Sequence, residues 1–194
     1  MAERASVLWS LWKTAFALII IAVTAVQCAS RIDYDIIIDY VSESYLAEED
    51  TENLRTLVQD NIDDVNGNGK KQADILVLNM SENMDAQMFA AMQTKLMAEL
   101  SCTDSYLFLM SEKYAATLSQ YDMFDNSSEW AGDAAADGNT VCLANSAALG
   151  TIGLNSDKLY VGVRSLRDAD KDKPKEQIKH DTALKLAQYL VKQR

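Results

Sequence analysis

Hydrophobic positions follow two different patterns along the chain. Near the N-terminus, the segment 14–30 is apolar and carries no charged residue. At 1.5 Å per residue it makes about 25 Å of helix, and extension back to Val7 reaches the ~30 Å of a hydrocarbon core. Two tryptophans before the segment suit the membrane interface, and Lys13 can extend its ammonium group to the headgroups. The pattern predicts an N-terminal transmembrane helix that anchors the protein through residues 1–30.

After residue 31, short apolar runs alternate with amphipathic stretches. The runs predict strands at 33–40, 73–80, 104–110, 140–144 and 159–163, and the stretches predict helices at 47–63, 85–100, 111–118 and 177–192. Helices that alternate with strands in this order favour a three-layer α/β domain with a mostly parallel sheet. We therefore expect two domains, a membrane anchor at 1–30 and an α/β domain at 31–194.

The segment 120–137 interrupts this alternation because it mixes aromatic, small and acidic residues without a period. We interpret it as a long mobile loop that faces a partner, since loops of this length are usually functional or disordered. Tyr121, Phe124 and Trp130 are of the types that often anchor binding. The alternative is that these aromatic side chains fold back and close the end of the core.

Charges around the apolar segment predict its orientation. Arg4 and Lys13 precede it, whereas acidic residues follow soon after Arg31. The positive-inside rule then favours a cytoplasmic N-terminus, so we expect a single-pass protein of the cell membrane with an extracytoplasmic body. Two alternatives stay open. One is signal-peptide cleavage after Val23-Thr24-Ala25, and the other is acylation of Cys28, although the preceding residue fits a lipoprotein poorly.

The composition excludes one class of partner. The chain contains 18 Lys and Arg against 29 Asp and Glu, a formal net charge of −11. Such an acidic domain repels nucleic acid and anionic headgroups at long range, so we exclude nucleic-acid binding. Cys102 and Cys142 are the cysteines of the body. They can pair in an exported domain or remain two small buried residues.

The sequence specifies no reaction and only one weak metal site. It contains neither a Gly-x-Ser-x-Gly nucleophile motif nor a phosphate-binding glycine motif, and His180 is expected on a solvated helix face. Asp64, Asn66 and Asn68 occupy positions 1, 3 and 5 of a calcium loop, but Ile75 stands where a bidentate carboxylate is needed. We interpret this segment as a turn and predict no cofactor, with calcium kept as the weak candidate.

Several segments resemble known proteins. The Trp-x-x-Trp-Lys approach to the anchor, Arg31-Ile32-Asp33-Tyr34-Asp35 and Asp64-Val65-Asn66-Gly67-Asn68-Gly69-Lys70 resemble small membrane-anchored extracytoplasmic proteins of Clostridia-type Gram-positive bacteria, a group without an established function. The stretch 85–100 followed by 104–109 is similar to one lobe of an extracellular solute-binding protein. In that family, such a helix precedes a strand that ends near the ligand cleft. A complete type II member has two lobes, whereas this chain suffices for one, so the resemblance implies fold and location but not closure over a ligand.

These observations favour a non-catalytic binding or interaction module whose partner is a small molecule or an envelope protein. Ligands of open α/β folds bind at the carboxyl edge of the strands. The candidate binding residues are therefore Asn79, Ser81, Met110 and Ser111, with Tyr121, Phe124 and Trp130 in a lid above them. Two alternatives remain. A structural subunit of an envelope or transporter complex would expose a contiguous apolar patch, and a cell-envelope hydrolase would place two carboxylates with perturbed pKa values in one pocket.

Overall fold

The body of the protein is built around a five-stranded sheet. The computed structural model describes residues 32–101, 104–134 and 138–192, and a compact unit begins at Tyr34. The strands are β1 (Ile36–Ser42), β2 (Ala73–Asn79), β3 (Leu107–Ser111), β4 (Thr140–Cys142) and β5 (Leu159–Val163). The helices are α1 (Glu48–Asp60), α2 (Ala86–Ser101), α3 (Glu112–Leu118), α4 (Ser127–Trp130), α5 (Ala147–Thr151) and α6 (Pro174–Lys192). The prediction of a mixed α/β fold is confirmed.

The strand order across the sheet is β2-β1-β3-β5-β4. β1 pairs in parallel with both β2 and β3, whereas β5 is antiparallel to both β3 and β4. The sheet is therefore mixed, with β5 reversed, and the prediction of a mostly parallel sheet holds only in part. The helix between β4 and β5 explains the reversal. α5 has 5 residues, about 7 Å of helix, which is too short to carry the chain back along the sheet for a parallel crossover.

The side chains of β1 alternate between two hydrophobic clusters, one on each face of the sheet. Ile38 joins the cluster that contains Leu54 of α1 and Leu186 of α6. Val41 joins the cluster that contains Leu96 of α2, together with residues of α3. We call these two sides of the sheet the α6 face and the α2 face. Helices thus cover both faces, and the isoleucine-rich β1 is buried at the centre of the fold.

The ends of several elements differ from the predictions. The first strand lies at Ile36–Ser42 and not at 33–40. The last helix begins at Pro174 and not at Gln177, because proline is well accommodated in the first turn of a helix. The short helices α4 and α5 were not predicted, since a helix of one turn leaves no detectable period in the sequence.

The segment 120–137 is not one long loop over its described residues. Short helical turns cover Ser119–Tyr121 and Gly132–Ala134, with α4 between them. α4 has a side-chain N-cap, because the Asn126 carboxamide oxygen accepts a hydrogen bond from the Ser128 amide at 3.1 Å. Local turns and capping therefore give this segment an ordered path that its composition does not reveal.

The predicted anchor falls on residues that the structure does not describe. Residues 1–31, and with them the possible signal-peptide site and Cys28, lie outside the described residues. Within residues 32–101, 104–134 and 138–192, no helix has the length and apolarity to cross a membrane. Cys142 is free among these residues. Whether it pairs with Cys102 stays open, because Cys102 lies outside them.

One carboxyl group lies in the middle of the central strand. Asp39 is fully buried on the α2 side, and neither of its side-chain oxygens has a hydrogen-bond partner among the described residues. Burial raises its pKa to about 7, and Glu99 adds to the effect. The nearby Ser105 hydroxyl acts to lower the pKa of Asp39. This hydroxyl donates its hydrogen bond to the Ile37 carbonyl at 3.2 Å and not to Asp39. The fold therefore favours the neutral form of Asp39.

Replacement of Asp39 by Asn should stabilise the protein above neutral pH. The pKa rises from 3.8 to about 7 on folding, and at 1.36 kcal/mol per unit the ionised form costs up to ~4 kcal/mol. Since the folded state keeps the proton that the unfolded state loses, wild-type stability should fall as the pH rises from 3.8 to about 7. Urea unfolding of both proteins across this range measures the difference. Equal pH profiles for the two proteins would contradict the assignment.

Candidate functional site

The carboxyl ends of three strands meet at one edge of the sheet because β1, β2 and β3 are parallel. Ser42 and Asn79 form the last pair of β1 and β2. Ser111 ends β3, and its hydroxyl donates a hydrogen bond to the carboxylate of Glu43, the residue that follows β1. The reversed β5 begins at the same edge, where Leu159 pairs with Ser111. Four strands thus contribute one end each to this edge.

A cleft of about 660 Å³ opens at this edge. We call it the edge cleft. The residues after β1 and β3 form one wall, and the stretch 153–159 before and at the start of β5 forms the other. Polar groups of the lining include Ser42, Glu43, Asp50, Ser111, Asp157 and Lys158. The volume lies within the ~300–1,000 Å³ that is usual for small-molecule sites.

Local hydrogen bonds hold both walls of the edge cleft. The Ser42 hydroxyl oxygen accepts a hydrogen bond from the Ser44 amide at 3.1 Å, and the Asn155 carboxamide oxygen accepts one from the Asp157 amide at 3.0 Å. Gly153 has a φ of +73°, so it turns the chain after α5 in a conformation that favours glycine. The walls are therefore formed by the fold itself and need no ligand to assemble them.

Acidic groups outnumber basic groups in the lining. Four carboxylates, those of Glu43, Asp50, Glu112 and Asp157, face two ammonium groups, those of Lys113 and Lys158. The Lys113 ammonium is in addition bound by Glu82 outside the lining, and this hydrogen bond raises the pKa of Lys113. The lining as a whole is negatively charged.

One of the predicted binding residues, Ser111, lines the edge cleft. Asn79 and Ser81 lie at the same edge but outside the cleft lining. There the Asn79 carboxamide oxygen accepts a hydrogen bond from the Ser81 amide at 3.1 Å, which stabilises the turn after β2. The rule that ligands bind at strand ends therefore selected the edge at which the cleft opens, but it did not distinguish the strand that borders the cleft from its neighbour.

Three other predicted residues lie in the core. Met110 is fully buried, Phe124 is 3% exposed and Trp130 is 7% exposed. Phe124 packs edge-to-face on Phe108 at 5.4 Å between ring centroids, and Trp130 belongs to the cluster of the α6 face. The expectation that they face a ligand or partner is wrong, because burial of these large apolar groups stabilises the fold. The alternative, in which the aromatic residues close the core, is the arrangement found for Phe124 and Trp130.

Most of the cleft lining was missed in the sequence. Ser42 ends β1 and Glu43-Ser44-Tyr45 directly follow it, so the strand-end rule that selected Ser111 would also have found this run. Asp157 and Lys158 could not be found this way, because they precede a strand. They reach the edge only because β5 is antiparallel to β3, which the sequence pattern does not show.

A second cavity of about 610 Å³ lies between α2 and α3. We call it the α2 groove. Its lining is largely apolar and includes Met97 and Tyr121, which are 54% and 59% exposed. Of the 16 residues of α2, Leu96 is the buried one, so this helix leaves apolar side chains at the surface. Tyr121 is thus the predicted aromatic that does remain accessible, but at this groove and not above the edge cleft.

His180 is not on a solvated face, which corrects the prediction. It is 9% exposed, and its Nε2 lies 2.7 Å from Asp125 Oδ2. Burial opposes ionisation of Asp125, but hydrogen bonds from His180 and Ser165 together lower its pKa. The Nδ1 atom of His180 lies 3.9 Å from Asp181 Oδ1. With a carboxylate near each ring nitrogen, His180 fastens α6 to the segment before α4.

The calcium candidate is a turn wound around a carboxylate. Asp64 Oδ1 accepts a hydrogen bond from the Gly67 amide at 2.8 Å, and its Oδ2 accepts one from the Gly69 amide at 2.7 Å. The carboxamide oxygens of Asn66 and Asn68 likewise accept backbone hydrogen bonds. Within the described ranges, no group of three or more His, Cys, Asp or Glu residues is arranged to hold a metal ion. The oxygen atoms therefore have a structural use in the turn.

Comparisons with known proteins give this chain no neighbour. No protein-family model, no curated protein and no solved structure matches it. The resemblance to Clostridia-type membrane-anchored proteins and to a solute-binding lobe therefore stays a prediction from the sequence.

Replacement of Trp130 by Ala should lower the free energy of unfolding by about 3–5 kcal/mol, because it leaves a large cavity in the core. The same truncation at the exposed Tyr121 should cost less than about 1 kcal/mol. Urea unfolding of both variants measures the contrast. Trp130→Phe provides a further control, since it keeps an aromatic ring but removes an indole N–H that has no partner among the described residues. A cost for Trp130→Ala as small as that for Tyr121→Ala would contradict the core assignment.

Proposed function

We propose that the protein is a membrane-anchored extracytoplasmic binding module that holds a small molecule in the edge cleft without changing it chemically. The edge cleft carries this proposal. It measures about 660 Å³ and lies outside the carboxyl ends of parallel strands, where open α/β sheets bind their ligands. The uncharged segment 14–30 and the basic residues before it support the anchor and its orientation.

The placement of the titratable groups favours binding over catalysis. Asp39, whose pKa is raised to about 7, lines neither cavity, so it is out of reach of a ligand there. His180 lies against Asp125, and this contact holds α6 to the segment before α4. In the edge cleft, the Glu43 carboxylate accepts a hydrogen bond from Ser111. This contact positions the Glu43 carboxylate at the edge of the sheet.

The α2 groove favours a second candidate function, that of a structural subunit in an envelope or transporter complex. Met97 and Tyr121 are 54% and 59% exposed, and both line the groove. Exposed apolar residues grouped in this way are more common at interaction surfaces than elsewhere. The edge cleft remains the stronger observation, because it combines enclosure with several polar groups that can orient a ligand.

The binding proposal can be tested by NMR on the full-length chain in a nonionic polyoxyethylene detergent. Small amines, carboxylic acids and sugars are added as three separate probe mixtures. We expect at least one mixture to shift the amide resonances of Ser44, Ser111 and Gly153. Ser44→Trp should abolish these shifts by filling the cleft mouth, whereas Thr56→Trp, at an exposed position of α1 outside the lining, should retain them.

Two results would overturn the binding proposal. One is that no mixture shifts the resonances of the edge cleft, or that the shifts persist in Ser44→Trp. The other is that the shifts concentrate on Met97, Thr117 and Tyr121 of the α2 groove, which would favour the structural-subunit alternative.

A further inference from the structure

We propose that the ligand of the edge cleft is an organic cation, a small molecule that carries an ammonium group. This inference rests on the proposed function, because it assigns a ligand class to the same cleft. Three observations lead to it: the excess of carboxylates in the lining, an available carboxylate oxygen on Glu43, and two tyrosine side chains in the lining.

The carboxylates of the lining occupy two kinds of position, at helix N-termini and outside helices. Asp50 lies in the first turn of α1 and Glu112 in the first turn of α3, where an acidic residue offsets the partial positive charge of a helix N-terminus. Glu43 and Asp157 lie outside any helix, so no helix end accounts for their charge. These two stand on opposite walls of the cleft, and they give it a negative charge that a cationic ligand would neutralise.

Glu43 is the best placed acceptor. Its Oε2 atom accepts the hydrogen bond of the Ser111 hydroxyl, which fixes the carboxylate at the junction of β1 and β3. No hydrogen bond or ion pair to Oε1 is found within the described residues. A carboxylate held by one oxygen with the other available is suited to a charge-assisted hydrogen bond with an ammonium group.

Two tyrosines complete the lining for a cation. Tyr40 is buried in the wall, whereas Tyr45 is 75% exposed, so its ring remains accessible to a ligand. The faces of aromatic rings attract ammonium groups, and more strongly where water is excluded. Aromatic rings beside carboxylates therefore distinguish an organic cation from a simple metal ion, which would need several carboxylates converging at one point.

Other ligand classes fit less well. An anion would meet the carboxylates of the lining and the net charge of −11 of the whole chain, and both repel it. The Lys113 ammonium cannot offset this freely, because Glu82 binds it, and the Lys158 ammonium is one positive charge among four carboxylates of the lining. A neutral sugar could use the hydroxyl groups of Ser42 and Ser111, but it would leave the net negative charge of the lining uncompensated.

The test is an NMR titration of the full-length chain in the same nonionic detergent. The ammonium probes are choline and butylamine. The matched control is 3,3-dimethyl-1-butanol, which has the shape of choline without the charge, and trehalose represents neutral sugars. We expect an ammonium probe to shift Ser44, Ser111 and Gly153 with saturation. The uncharged control should bind at least about tenfold more weakly, the loss expected when one charge-assisted contact is removed.

Variants separate the cleft from general attraction to an acidic surface. Glu43→Gln should weaken binding of the ammonium probe about tenfold. Asp157→Asn should weaken binding several-fold. Because Asp157 lies in a turn, this variant still tests the proposal if Glu43→Gln does not fold. Glu49→Gln removes a carboxylate from the same first turn as Asp50 but outside the lining, so it should leave the affinity within about twofold.

The outcomes distinguish the ligand class from the proposed function. If trehalose or an organic acid shifts the cleft resonances and neither ammonium probe does, the cation assignment is wrong and the binding function stands. An ammonium affinity that is equal in wild type, Glu43→Gln and Asp157→Asn would also overturn the cation assignment. If no probe of any class shifts the cleft resonances, the proposed function fails together with it.

Discussion

The parallel pairing of β1 with β2 and β3 is the constraint on which the rest of the molecule depends. It aligns the carboxyl ends of three strands at one edge, and the chain leaves β1 and β3 there with Glu43 and Glu112. The hydrogen bond from Ser111 to Glu43 joins two of these ends. Because the strands fix the backbone on both sides of this contact, the edge cleft is a property of the fold and not of a flexible loop.

The reversal at β5 supplies the second half of the site. α5 is too short for a crossover, so the chain returns as an antiparallel strand that starts at the edge where β3 ends. The turn around Gly153 and Asp157 thereby becomes the wall opposite Glu43. An all-parallel sheet would place the start of this strand at the other edge. The cleft would then lack this wall and its acidic group.

The sequence predicted what depends on periodicity. The isoleucine-rich β1, the alternation of strands and helices, and the edge at which Ser111 lies all follow from local pattern. It did not predict what depends on tertiary packing. Met110 is buried because its side chain points into the core, and Trp130 is buried because α4 places it in the cluster of the α6 face. His180 is buried where it contacts Asp125. In the same way, the wall around Asp157 depends on the direction of β5, and the residue types of this segment do not indicate that direction.

The most direct measurement of the central claim is paramagnetic relaxation by a spin-labelled amine, 4-amino-TEMPO, added to the full-length chain. It reports where a cationic ligand resides on the whole surface, without assuming a site. We expect saturable broadening that centres on residues 42–45, 111 and 153–158 and is reversed by an unlabelled ammonium competitor. Broadening spread evenly over the acidic surface, or centred on the α2 groove, would contradict the assignment of an ammonium site to the edge cleft.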